Sequence, residues 1–189
     1  MAHDIATPRP APPVTKPADD HRLKASPFWR FSLRLYASTE VQSACLALQD
    51  KCGVDVNVLM FVLWAAGERS VLGVGKIRAV DRLVKPWRTG TVVPLRTLRR
   101  ALKAPPKAIG PREAEHLRTR IKAAELMAEN LQQDAMYRFA QSQPQGPRAS
   151  SASDAARRNL VAYQSILGPF PKAEIDKILK AFDGLESPR

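Results

Sequence analysis

The sequence has little cysteine, few aromatic residues, three histidines and no long apolar run. Two cysteines, Cys45 and Cys52, in 189 residues exclude a disulfide framework. In a helical register they share a face about 10 Å apart, too far for a bridge. Two buried free thiols are therefore expected, which fits a reducing compartment. Aromatics amount to 6% and runs of β-branched residues are scarce, which argues against a strand-built fold. The longest uninterrupted apolar run, Val58 to Ala66, is nine residues, whereas a membrane helix needs about 20. The stretch from Met1 to Asp20 is rich in proline and lacks an apolar core of leader type, so a cytoplasmic location is expected.

Histidine is as uninformative. His3 and His21 fall in the proline-rich stretch, and His116 has no cysteine or carboxylate at ligand spacing. No metal, cofactor or Ser-His-Asp set is indicated. Gly73-Val74-Gly75-Lys76 resembles the end of a phosphate loop. It has Ser70 where a glycine is needed and Ile77 where Ser or Thr is needed, and it follows a helical pattern rather than a strand. It reads as an interhelix turn.

Acid is scarce in one place only. Between Arg69 and Lys122, fifteen Lys and Arg face Asp81, Glu113 and Glu115, a balance of +12. The remainder has fifteen of each sign, so the whole net charge of +12 lies in that window. Such a window predicts a surface for an acidic partner.

What is present is helical periodicity. Ala, Leu, Arg and Lys dominate the middle of the chain, all good helix formers. Residues 1–25 read as a disordered, polyproline-like tail. Ser26-Pro27 opens a first helix, and Ser38 or Thr39 a second that stops at Gly53. Asp55 starts a third, apolar on nearly all sides from Val56 to Ala66, the central helix of a bundle. Ile77, Val80, Leu83 and Val84 mark one face of the next, with Arg78, Arg82 and Lys85 opposite. Pro86 to Gly90 leads into a short loop, after which Pro94 opens a helix with Leu95, Leu98 and Leu102 inward. Arg96, Arg99, Arg100 and Lys103 form its outward stripe. Pro111 begins the longest helix, with a heptad-like seam of Leu117, Ile121, Ala124, Ala128, Leu131 and Ala135. The predicted organisation is a helical core over 26–140, a linker over 141–152, a helical hairpin over 153–183 and a tail over 184–189. The fold class is all-α: a compact helical bundle with one long helix and an appended C-terminal hairpin.

Phe28-Trp29-Arg30-Phe31, Leu35-Tyr36, Ala44 to Asp50, Gly53 to Asn57 and Phe61 to Trp64, with Trp87-Arg88, Val93 to Arg96 and Glu125 to Glu129, resemble a proteobacterial family of small uncharacterised proteins. The likeness covers about residues 27–140. It implies a small all-helical cytoplasmic protein and transfers no activity.

Two candidate sites follow. The first is a polyanion face of Arg78, Arg82, Lys85, Arg88, Arg96, Arg99, Arg100 and Lys103. If both stripes lie on one side they can meet several phosphates. The second is a polar pocket at one end of the bundle, with Asp50, Asp55, Asn57 and Trp87. Against it stands plain capping by Asp55, Asp50 and Asn57, and Trp87 either stacks on a ligand or plugs the bundle end. The leading function is a non-catalytic helical binding protein for RNA or a ribonucleoprotein surface. The alternative is an interaction subunit or adaptor with an acidic protein partner. Attachment to anionic lipid conflicts with the inward leucines. An enzyme is the least supported, since it needs Asp50, Asp55, Asn57 and an arginine in one pocket.

Overall fold

A computed structural model describes residues 26–143 and 146–186. The expected tail over 1–25 lies outside the described residues, as does the end of the second tail beyond Glu186. The described chain is almost wholly helical: α1 (Pro27–Tyr36), α2 (Thr39–Cys52), α3 (Val56–Gly67), α4 (Val74–Trp87), α5 (Val93–Ala101), α6 (Pro111–Ser142), α7 (Ala152–Leu167) and α8 (Lys172–Glu186).

The first three helices start where side chains can cap them. Ser26 Oγ accepts from Trp29 N and Ser38 Oγ from Val41 N. Asp55 Oδ1 accepts from Asn57 N at 2.7 Å and Val58 N at 3.3 Å. Each bond satisfies an amide the helix itself cannot. Between α2 and α3 the chain turns at Gly53, whose φ of 66° is the left-handed region that favours glycine.

Helix α3 is the centre. Nine of its residues, Asn57 to Leu63 with Ala65 and Ala66, are buried, so no face is left for water. Phe28, Phe61, Trp64 and Tyr137 stack around it with ring centroids 5.4 to 5.8 Å apart, within the range of favourable aromatic pairs.

The appended hairpin is seated on this bundle. Helix α7 makes the most extensive contact of any helix with α3, and α8 lies on α2. Leu160, Tyr163, Ile178 and Phe182 belong to the same buried cluster as Phe28 and Leu59. The segment before it is pinned as well: Ala149 N donates to Arg69 O, and Val71 N to Pro147 O, both at 2.8 Å. Gly146 is needed there, because a Cβ would lie 2.6 Å from Val71 O. Asn159, fully buried, completes the join. Its Oδ1 accepts from Leu72 N at 2.7 Å, and its Nδ2 donates to Val62 O and Ser70 O at 3.0 Å.

Two sequence expectations are corrected here. No loop separates Pro86 to Gly90 from the helix that holds Pro94. Residues 88–92 form a π-helical turn joining α4 to α5 without a break. Pro86 and Pro94 each lack the amide an α-helix needs. The turn is one residue wider than an α-turn: Val93 N donates to Arg88 O, five residues back, and Thr89 Oγ1 donates to Lys85 O and Pro86 O. The extra residue turns everything downstream by about 100° relative to an unbroken α-helix.

The second correction concerns α5 and α6. No residue of α5 is buried. Of the six seam positions on α6, only Ala128 is buried. The buried set is Ala114, Glu125, Ala128, Gln132, Gln133 and Met136. Half of the buried positions on the longest helix are polar, and they carry the site described next.

Candidate functional site

Glu125, Glu129, Gln132 and Gln133 step by four, three and one along α6, so they share a face. That face meets Arg96 and Arg99 directly and reaches Arg88 through Asp55, which Gln132 and Arg88 share. Arg88, on the π-turn, donates from Nη1 to Asp55 Oδ2 and to Asp81 Oδ1, both at 2.7 Å. Arg96, on α5, donates from Nε to Glu125 Oε1 at 3.0 Å, from Nη1 to Gln49 Oε1 at 2.6 Å and from Nη2 to Glu129 Oε1 at 2.6 Å. Arg99 donates from Nε and Nη2 to Glu125. The network ties α2, α3, α4, α5 and α6 together.

Asp55 holds the centre. Besides capping α3, its Oδ2 accepts from Gln132 Nε2 at 2.9 Å. Its backbone N–H donates to Tyr163 Oη at 3.2 Å. Asn57 lies one step deeper: its Oδ1 accepts from Gln133 Nε2, and Gln133 Oε1 accepts from Ser32 Oγ, both at 2.8 Å. This buried relay links α3, α6 and α1 and satisfies the amides that burial would otherwise penalise.

The two glutamates differ electrically. Burial pushes the Glu129 carboxyl above the usual carboxylate range, and Arg96 offsets only part of that. Burial also raises Glu125, but the hydrogen bonds and charges of Arg99 and Arg96 outweigh it and hold that carboxyl below the usual range. Desolvation pulls Arg88 and Arg96 down, and their carboxylate partners more than reverse it. All three arginines stay cationic.

Beside the network is a cavity of about 280 Å³, lined among others by Asp55, Asn57, Asp81, Arg88, Arg96, Gln132 and Tyr163. Of the four residues expected at a pocket, two reach this cavity. Asp55 and Asn57 line the cavity, and Asp50 and Trp87 do not. Asp50 sits on the exposed side of α2, 3.6 Å from Arg100. Trp87 lies half-exposed against α6, its Nε1 donating to Ala128 O at 2.9 Å. Sequence reasoning missed Asp81, Gln132, Glu125, Glu129 and Tyr163. A signal for the α6 members was present: two carboxylates and two amides at helical spacing, directly after the arginine-rich stretch.

The predicted basic face is divided. Arg78, Arg82 and Lys85 are exposed on α4, and Arg100 and Lys103 lie at the end of α5. Arg88, Arg96 and Arg99 are turned to carboxylates, so the outward stripe expected on α5 does not form as a unit. The basic residues beyond it stand on an arm. Residues 101–124 run from the end of α5, through the connection to α6, along the first turns of α6. Ala114 is the one buried residue among them. They hold six Lys and Arg, namely Lys103, Lys107, Arg112, Arg118, Arg120 and Lys122, against Glu113 and Glu115. Glu115 is occupied by Arg118. Among the described residues no group of three or more His, Cys, Asp or Glu is placed to hold a metal ion. None of their helices is long and apolar enough to cross a membrane.

A family model described as a protein of unknown function (DUF2390) matches residues 27–136. No curated protein and no solved structure matches the chain. The matched region takes in α1 to α5 and most of α6, and with them the arginine–carboxylate network, and stops before the α7–α8 hairpin.

Proposed function

We propose that this chain, which belongs to the DUF2390 family, is a non-catalytic helical binding protein that meets RNA or a ribonucleoprotein surface through its basic arm. The observation that carries the reading is the combination of exposure and sign on residues 101–124. A solvated helical face ordinarily mixes charges. Here six cations face two acids on a segment with a single buried residue. The exposed Arg78, Arg82 and Lys85 of α4 add to it, and the acid among them, Asp81, is taken by Arg88. Phosphate binding of this kind weakens steeply with salt and carries little sequence information.

The test is titration of fluorescent single-stranded and duplex RNA with the full chain and with a Lys103→Glu, Lys107→Glu, Arg112→Glu, Lys122→Glu variant. These four side chains make no pair in the arginine–carboxylate network, so the fold is left intact. Reversing Arg96 or Arg99 would break that network and is not a clean test. Each phosphate that the protein no longer neutralises reduces the salt slope by about 0.7 to 0.9, so the quadruple variant should flatten it by about 3. A variant that binds as the parent does, or a parent that binds no RNA at low salt, refutes the reading.

One observation favours the second reading, an acidic protein partner. Leu98, Ile109 and Leu117 are exposed by 44%, 49% and 46% beside the basic residues, and apolar anchors within a charged rim suit a protein interface. A partner retained by the native chain after nuclease treatment, and released by salt, would favour it over RNA.

A further inference from the structure

We propose that the cavity beside Asp55 binds a small ammonium–carboxylate zwitterion of the free amino-acid class. This goes beyond the arm's function and does not depend on it.

Gln132 is the starting point. It stands in the cavity wall, 1% exposed. Its Nε2 is held by Asp55, while its Oε1 is buried without a hydrogen-bond partner among the described residues. Turning the amide over does not help. It would set Oε1 against the Asp55 carboxylate oxygen, two acceptors face to face. The unmet acceptor is thus imposed by Asp55, and a buried acceptor is costly to leave unmet unless something donates to it.

Arg88 supplies the complement. Both of its hydrogen bonds leave from Nη1, so the Nε and Nη2 edge has no partner among the described residues. That edge has the fork geometry that takes a carboxylate with two parallel bonds. Asp81 spends Oδ1 on Arg88, and its Oδ2 makes no bond among the described residues. The cavity wall therefore holds one two-pronged cationic edge and one charged acceptor, with the unmet neutral acceptor of Gln132 closed off just behind its surface. The charges that line it, Arg88 and Arg96 against Asp55 and Asp81, sum to zero. A dianion gains nothing from such a site. A zwitterion places its carboxylate on Arg88 and its ammonium on Asp81 Oδ2, and a rotation of the Gln132 side chain on binding brings Oε1, now closed off behind the cavity surface, to the same ammonium. Val54, Val92, Ile166 and Leu167 complete the wall and give its side chain an apolar surface. The volume of about 280 Å³ lies at the small end of metabolite pockets.

The experiment uses the full chain and the twenty common amino acids as probes, with sodium propionate and ethylammonium chloride as half-ligands. Thermal shift is the screen, and the side-chain amide signals of Gln132 in a nitrogen-15 spectrum are the readout. Saturable stabilisation by one or more amino acids, with a shift of the Gln132 signals and no comparable effect of either half-ligand, is expected. Val93→Trp places a ring at the exposed edge of the cavity without touching the ionic network, and should weaken binding about tenfold or more. Arg88→Lys, which keeps the charge and loses the fork, should do the same if it folds. The proposal is overturned if no amino acid moves the Gln132 signals, which leaves a buried water as the partner of Oε1. It is equally overturned if binding persists unchanged in Val93→Trp.

Discussion

Glu125→Gln should unfold the protein far more readily than Glu129→Gln, although the two side chains are one turn apart and bind the same arginine. Glu125 is 5% exposed and accepts from Arg96 Nε and from Arg99 Nε and Nη2. An amide in its place keeps one acceptor and turns an NH2 toward a guanidinium. Removing one partner of a buried pair costs about 3–5 kcal/mol because the remaining charge is stranded. Arg99 reaches solvent in part, which lowers the expectation to about 3 kcal/mol, a large share of an ordinary domain stability of roughly 5–15 kcal/mol. At about 2–4 °C per kcal/mol for a chain of this size, the melting temperature falls by about 10 °C. Glu129→Gln removes a carboxylate whose charged form burial already disfavours, and Arg96 keeps Glu125. Its effect should stay within about 1 kcal/mol. The pH dependences have opposite signs. The Glu125 carboxyl is depressed in the folded state, so its contribution is present above the ordinary glutamate value and is lost as pH falls through the folded one. The Glu129 carboxyl is elevated, so its contribution is present below the ordinary value and is lost as pH rises through the folded one. Urea denaturation followed by circular dichroism across that range measures both, and urea does not screen the charges. Equal stabilities for the two variants at neutral pH, or a Glu125→Gln deficit that grows on acidification, would refute the assignment.

Two further outcomes are expected. Asn159→Ala strands Leu72 N and two carbonyls at the join between α7 and the core, and should cost about 2–4 kcal/mol in urea melts; a near-neutral result would mean water replaces the amide. Burial pushes the Cys45 thiol up to about 12, so iodoacetamide and peptide mass mapping should find Cys52 alkylated in the native protein and Cys45 alkylated only after denaturation, and rapid native labelling of Cys45 would contradict the packing of α2.

Much of the fold was legible because its signals are local. Serine and aspartate caps, Gly53 and the unbroken apolar run of α3 each act within a few residues. The site was less legible because its pairs are not local. The excess of cations between Arg69 and Lys122 reads as a surface when counted along the chain. Three of the four carboxylates that meet Arg88, Arg96 and Arg99 are Asp55, Glu125 and Glu129, outside that window. No contiguous count can show that these cations are answered. Asp55 and Asn57 were legible as one end of a pocket, since a cap and a buried amide need partners. Asp50 was grouped with them by proximity in sequence, but a helix turns about 100° per residue and carries it to the exposed side of α2.

The π-turn had no sequence signal that sterics alone would expose. Pro86 and Pro94 both argue for a break, and a break is the cheaper answer when the freed carbonyls face water. Here the chain keeps helical geometry because a widened turn places Arg88 over Asp55 and Asp81 and points Arg96 and Arg99 at α6. A loop of the same length would give up the four hydrogen bonds that Arg96 and Arg99 donate to the two glutamates, and with them the position of Arg88. The ion pairs thus favour the helical form of residues 88–92 over a loop. The same choice keeps α4 and α5 in one helical run that carries the basic arm away from the bundle and seats Arg88 in the wall of the cavity. The arm and the cavity share one mechanical element, which is why disturbing Arg88 should be read at both.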